Sequence, residues 1–172
     1  MSNPPNAIEI REYDSSWAQL FESESERLTG ALGDLLVDVE HIGSTSVSGL
    51  AAKPIVDIAV VLASAASQPG AVQCVEALGY ERRPAGDFSG RLFLQLLRDG
   101  SPVTHLSLVP ADAPYLTPHL VFRDRLRADP ALAREYADLK RRLAVEHAGD
   151  PEAYTRGKTE LVGRVCGVGW IE

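Results

Sequence analysis

The sequence predicts an α+β domain with a mixed β-sheet, an N-terminal helix and C-terminal helices packed around it, and three observations carry that expectation. Residues 55–62 form an apolar run of strand length interrupted by a single acid, Asp57, the pattern of a well-buried strand. Residues 91–97 and 103–109 flank Asp99-Gly100, a hairpin signal that makes them two antiparallel strands. Asp129-Pro130 and Asp150-Pro151 each place an N-cap before a first-turn proline and so announce two helices.

The remaining elements follow in order. Ser16-Trp17-Ala18-Gln19 reads as a capping box, after which Trp17, Leu20, Phe21, Leu28 and Leu32 recur at helical spacing until Gly33. A short β-prone run, residues 37–42, leads into Gly43-Ser44-Thr45-Ser46-Val47-Ser48-Gly49, a small polar loop. Past Pro69 and Gly70, a helix carrying Val72, Val75 and Leu78 closes at Gly79 in a C′ position. Phe122 and Leu126 suggest a shorter helical segment after a loop over residues 114–118. The two announced helices carry apolar stripes, Leu132, Tyr136, Leu139 and Leu143 in one, Tyr154, Leu161, Val162 and Val165 in the other. The expected order is α-β-β-α-β-β-α-α-α. With no repeat, low-complexity tract or linker, residues 1–172 read as a single domain.

Composition narrows the function classes. Hydrophobic residues at 45% and charged residues at 24% are those of a chain that folds rather than a disordered one. No basic stretch followed by an apolar one opens the chain, and no apolar run approaches the roughly 20 residues of a membrane helix, so a cytoplasmic protein without a membrane span is expected. Cys74 and Cys166 show no Cys-x-x-Cys spacing and read as buried free thiols. A net charge of -7 argues against general nucleic-acid binding, which needs a basic footprint. The charge is uneven, however: residues 1–80 carry three basic residues against eleven acidic ones, and residues 81–172 carry fourteen against thirteen. Either a mixed solvated surface or a local anion site in an acidic protein follows.

Strand alternation locates the candidate chemistry, because side chains two apart share a face. Leu92, Leu94, Leu96, Leu106, Leu108, Ile58, Val60 and Leu62 fall on one face of the sheet. Arg91, Gln95, His105, Ser107, Asp57 and Ala59 fall on the other. Asp57 has to be hydrogen-bonded, paired or metal-bound in so apolar a strand; it either accepts backbone N–H groups from the preceding loop or serves a site. The Gly43-Ser44-Thr45 segment upstream can offer backbone donors and hydroxyls to a phosphate. Lys158 lies four residues after Tyr154 within an apolar stripe, and Lys140 four after Tyr136 on a stripe's flank. Both either snorkel or, with Arg123, reach toward the loop to hold an anion. Asp57 with His105, joined by His41 or Glu40, would suit zinc, manganese or iron, and a Ser44-His41-Asp57 hydrolytic triad can also be written from residue types.

The stretch Glu40-His41-Ile42-Gly43-Ser44-Thr45-Ser46-Val47-Ser48-Gly49-Leu50-Ala51-Ala52-Lys53-Pro54-Ile55-Val56-Asp57-Ile58 resembles the signature of the GrpB family. The likeness continues through Tyr13-Asp14-x-x-Trp17-x-x-x-Phe21, Leu78-Gly79-Tyr80, Phe122-Arg123-Asp124-x-Leu126-Arg127, Tyr136-x-x-Leu139-Lys140 and Tyr154-x-x-x-Lys158; Ser48 replaces the family's usual loop proline. The resemblance implies a nucleotidyltransferase-like fold with a Gly-Ser element holding phosphates and two acids, one apart on a strand, binding divalent metal. Gly43, Ser44 and Asp57 match, whereas Ala59 holds the second acidic position and His105 stands where a third carboxylate is expected. The implied function is binding of a nucleotide or phosphorylated small molecule by Gly43, Ser44, Thr45, Lys53, Arg123, Lys140 and Lys158, with Asp57 and His105 as catalytic residues of a transfer dependent on Mg or Mn, Zn being the lesser candidate. The alternative is a noncatalytic accessory module linked to coenzyme A metabolism, since GrpB-like domains also occur fused to dephospho-CoA kinase.

Overall fold

A computed structural model describes residues 8–167. Its five strands are β1 (Leu36–Ile42), β2 (Val56–Leu62), β3 (Tyr80–Arg82), β4 (Leu92–Arg98) and β5 (Ser101–Pro110). They form one sheet in the order β1-β2-β5-β4-β3. The central pair β2 and β5 is parallel and every other pairing is antiparallel, so the sheet is mixed, as expected. The helices are α1 (Ser16–Leu32), α2 (Gln68–Ala77), α3 (Leu116–Ala128), α4 (Pro130–Glu146) and α5 (Pro151–Cys166). Among the described residues no helix is long and apolar enough to cross a membrane.

The two sheet faces divide as strand parity predicts. Ile58, Val60, Leu62, Leu94, Leu106 and Leu108 are each 0% exposed and pack with Leu28 and Leu32 of α1 and Ala71 and Val75 of α2. Each large aliphatic chain buried there is worth about 1.5–3 kcal/mol, which makes this face the main source of stability. One charge is buried with them: Glu24, 3% exposed, accepts from Arg27 at 2.6 Å and from the Tyr80 hydroxyl at 2.8 Å. On the opposite face, α3 covers only the end of the sheet where Ala59, Val61 and Val109 meet Ile42 and Tyr115. A third cluster joins Val47, Leu50 and Ala51 of the polar loop to Phe122, Leu126, Tyr136, Ala137, Leu161 and Val162 of α3, α4 and α5. The helices thereby overhang the other end of that face and leave a cleft.

Three local expectations are corrected. The capping box at Ser16 is not made: Ser15 is the N-cap without a side-chain bond, and the Asp14 carboxylate takes the Ser16 N–H at 2.8 Å, a shorter acidic side chain already satisfying the helix start. Strand β3 escaped the periodicity because three residues, Tyr-Glu-Arg, are too few to alternate. Helix α3 begins at Leu116, before the anticipated segment; Pro118 sits in its first turn, where no backbone N–H partner is needed. The two Asp-Pro starts are built as read, with Asp129 accepting from Ala131 and Leu132 and Asp150 from Ala153. Gly79, at φ +94°, follows the Leu78 C-cap of α2, the C′ position expected of it.

Candidate functional site

Register places the reactive residues side by side. In the parallel pair Asp57 lies opposite His105 and Ala59 opposite Ser107, while Gln95 of β4 pairs with His105 from the other side. The His105 Nδ1 stands 3.2 Å from Asp57 Oδ1, and Gln95 Nε2 is 3.2 Å from His105 Nε2. Because Arg83 Nε donates to Gln95 Oε1 at 3.1 Å, the Gln95 amide must present its NH2 to the imidazole. His105 Nε2 is then the acceptor and Nδ1–H donates to Asp57, so a chain of bonds from Arg83 fixes the tautomer.

The loop after β1 packs onto Asp57. Gly43 has φ +69° and ψ -173°, a region open essentially to glycine, and a Cβ there would lie 2.3 Å from Asp57 Oδ2. No larger residue fits while Asp57 stays in place. Ser44–Ser46 then form a single 3-10 turn, which carries Ser44 over the cleft. Lys140, on α4, is 2% exposed; its Nζ donates to Ser44 Oγ at 2.9 Å and to the Ala51 carbonyl, and lies 4.6 Å from the Tyr136 ring centroid. Burial, reinforced by the charges of Lys158 and Arg141, brings its ammonium down to about 7. Lys53 and Lys158 converge on one aromatic ring, their Nζ atoms 4.4 and 5.1 Å from the centroid of Tyr154. Gly157 permits that convergence by letting α5 lie against α4: a Cβ at 157 would meet Leu143 at 2.4 Å.

These residues line a cleft of about 340 Å³, near the lower end of small-molecule sites, about 300–1,000 Å³. Gly43, Ser44, Thr45, Lys53, Asp57, His105, Lys140 and Lys158 all border it. The Thr45 hydroxyl is turned away to His41 Nε2 at 3.0 Å. Two expected members are absent. Arg123 is committed to Glu40, Asp124 and the His41 carbonyl, outside the cleft lining, because its place on α3 aims it at the edge strand. His41 pairs with Ile58 across β1 and β2 and therefore lies on the opposite sheet face from Asp57, stacked on Phe21 at 4.6 Å. Burial lowers its imidazole to about 4, against the pull of Asp57, so it is a neutral core residue. That removes both the Ser44-His41-Asp57 triad and His41 as a metal ligand.

Sequence reasoning missed the aromatic lining of Phe93, Tyr115, Phe122, Tyr136 and Tyr154, together with His119. Parity alone could have put Phe93 beside Gln95.

The donor set does not fit the two-metal chemistry that the resemblance implies. Among the described residues Asp57 is the only carboxylate in the cleft lining, Ala59 faces Ser107 where a second acid would stand, and both His105 nitrogens are engaged by Asp57 and Gln95. Among the described residues no group of three or more His, Cys, Asp or Glu could hold a metal. Magnesium takes oxygen ligands in near-octahedral geometry, and no step is assigned to it.

The chain is 36% identical over 160 residues to the UPF0157 protein YqkA of Bacillus subtilis, matching 92% of this chain and 46% of that protein. It is 37% identical to the UPF0157 protein PA4798 of Pseudomonas aeruginosa, over 93% of this chain and 66% of the other. To the UPF0157 protein SCO7215 of Streptomyces coelicolor it is 38% identical, covering 92% and 83%. It thus spans about half of the first relative and two thirds of the second. The crystal structure of conserved protein GrpB from Enterococcus faecalis superposes with a TM-score of 0.84 at 32% identity, covering 92% of this chain and 95% of that one. Cid1 in complex with its short product ApU superposes at TM-score 0.54 with 14% identity, over 76% of this chain and 42% of Cid1, a likeness of fold that makes this a nucleotidyltransferase-like architecture. The family model described as GrpB protein matches residues 7–167, and the chain belongs to the GrpB family.

Proposed function

We propose that the cleft binds a phosphorylated small molecule, a nucleotide or nucleotide-like phosphate, with the phosphate held by Ser44, Lys140, Lys158 and Lys53 above the Asp57–His105 pair. The observation that carries the reading is Lys140, 2% exposed, whose Nζ meets the Ser44 hydroxyl and the Ala51 carbonyl in a cleft that Lys53 and Lys158 also line, in a chain of net charge -7. Concentrating cations in a concave, low-dielectric site disfavours the empty protein and favours an anion. The depressed ammonium of Lys140 is the local cost, which a phosphate would relieve. Fold neighbours bind nucleotides, Cid1 being solved with the UTP analog UMPNPP. Ala59 favours a second reading, in which the domain binds its phosphate without transferring it, because in-line two-metal transfer needs carboxylates to hold both ions.

The test is calorimetry with inorganic pyrophosphate and with a nucleoside triphosphate, with and without Mg²⁺. Binding is expected without the divalent ion. Lys140→Met, which keeps the packed stem, is expected to weaken it by about tenfold or more through loss of a charge-assisted contact. Equal affinities for wild type and variant, or no binding of either probe, would overturn the reading.

A further inference from the structure

The three lysines gather at one end of the cleft. Arg91 stands at the other. Sheet geometry separates them: Ser44 follows β1 at the end where Ile42 meets Asp57, whereas Arg91 precedes β4 at the end where Leu92 meets Leu108. Asp57, His105 and Ser107 lie between on adjacent strands. Arg91 belongs to the cleft face by parity with Phe93 and Gln95, and it is half-buried there.

Its guanidinium is held in one orientation. The carbon Cζ lies 4.6 Å from the Phe93 ring centroid and 4.9 Å from that of Tyr115. Nη1 donates to the Tyr115 hydroxyl at 2.9 Å and Nη2 to the Gly86 carbonyl. The Tyr115 hydroxyl is itself 3.3 Å from Ser107 Oγ. Each terminal nitrogen therefore retains a second N–H, and the buried Nε–H has no acceptor. Neighbouring arginines are neutralised: Arg82 by Asp87 and Arg83 by Glu81. Among the described residues Arg91 has no carboxylate partner. A pre-oriented, aromatic-flanked guanidinium with an uncompensated charge, facing a cleft, is built to receive a planar anion.

Resting on the phosphate reading above, we infer that Arg91 forms a second anion subsite across the Asp57–His105 pair, and that the ligand is a small molecule bearing phosphate at one end and a carboxylate at the other. The two ends differ in charge demand. A phosphate monoester carries about -1.5 to -2 charge at neutral pH and suits the lysine cluster; a single fixed fork between two rings suits a singly charged, planar carboxylate. A bond of the ligand between the two groups would lie over Asp57 and His105.

Chain length is the variable that tests this. Wild type is titrated by calorimetry with ω-phosphonoalkanoates of increasing length and with the matching alkylphosphonates, which lack the carboxylate. One length is expected to bind about tenfold or more tightly than its alkylphosphonate. Arg91→Met is expected to abolish that gain while leaving alkylphosphonate affinity unchanged. No gain at any length, with alkylphosphonates still bound, overturns the second subsite and leaves the phosphate site standing. Failure of every phosphonate to bind removes the phosphate site and this inference with it. A gain that survives Arg91→Met also overturns the assignment. If that variant does not fold, Tyr115→Phe keeps the ring and removes the hydroxyl orienting Nη1; it is expected to diminish the carboxylate gain alone, and an undiminished gain overturns the proposal.

Discussion

The two faces of the sheet treat charge in opposite ways. On the face under α1 and α2, the buried acid Glu24 is met by both Arg27 and the Tyr80 hydroxyl, in a largely apolar layer that also holds His41 and Thr104. On the cleft face, Lys140 is buried with its ammonium weakened, and among the described residues Arg91 has no carboxylate partner. The same sheet supports both. A charge needed for folding arrives with its partners, whereas charges left over on the other face mark where the protein awaits something.

That contrast can be broken from the folded side first. Arg27→Met leaves Glu24 buried with only Tyr80, and stranding a buried charge costs about 3–5 kcal/mol; the half-exposed position of Arg27 puts the loss at the lower end. Urea unfolding measures it, and a loss no larger than that of Arg141→Met, an exposed pair with Glu12, would show the two faces to be alike.

His41 sharpens the comparison through pH. Its imidazole titrates near 4 when folded against an ordinary 6.5, so below 6.5 the unfolded chain binds a proton that the native core refuses. Stability should fall as pH drops from 6.5 toward 4, by about 3 kcal/mol at most. His41→Gln should flatten that part of the profile; an unchanged slope would place the titration elsewhere.

Lys140 predicts an effect of the same kind in a separate window. Between about 7 and its ordinary 10.5 the unfolded chain again holds the extra proton, so the ligand-free protein gains stability as pH rises through this range. Lys140→Met removes that gain and is expected to be as stable as wild type, or more so, at pH 7. Phosphonate affinity moves oppositely, falling by up to about tenfold per pH unit above 7 as the ammonium is lost. A pH-independent affinity in wild type would detach Lys140 from the anion.

Much of this arrangement was legible from residue spacing. Alternation alone set Asp57, His105, Gln95 and Arg91 on one face, and the parallel register of β2 and β5 then brought the first two within 3.2 Å. What alternation could not supply was register across β1, where Ile42 rather than His41 lies opposite Asp57, and so His41 was expected in a site from which the sheet itself separates it. Helix rotation was equally hidden. Lys140 and Arg123 both sit on helix flanks, yet one reaches Ser44 and the other is spent on Glu40. The bonds that decide between them span 96 and 83 residues of chain, and no local pattern encodes contacts of that reach.

The contact between Gly43 and Asp57 also constrains how such sequences change over time. Asp57 Oδ2 occupies the space that any side chain at position 43 would need. Loss of the glycine while the aspartate remains meets both the backbone penalty and the collision. Replacement of Asp57 by a smaller residue removes the 2.3 Å collision with Oδ2 and leaves a tight 3.0 Å approach to the Cβ of residue 57, together with the backbone cost of about 1–3 kcal/mol. The two positions are therefore ordered in inheritance: lineages that abandon the acid can afterwards lose the glycine, and the reverse path is closed. A relative with a larger residue at the position of Gly43 is accordingly expected to have already given up the carboxylate below it.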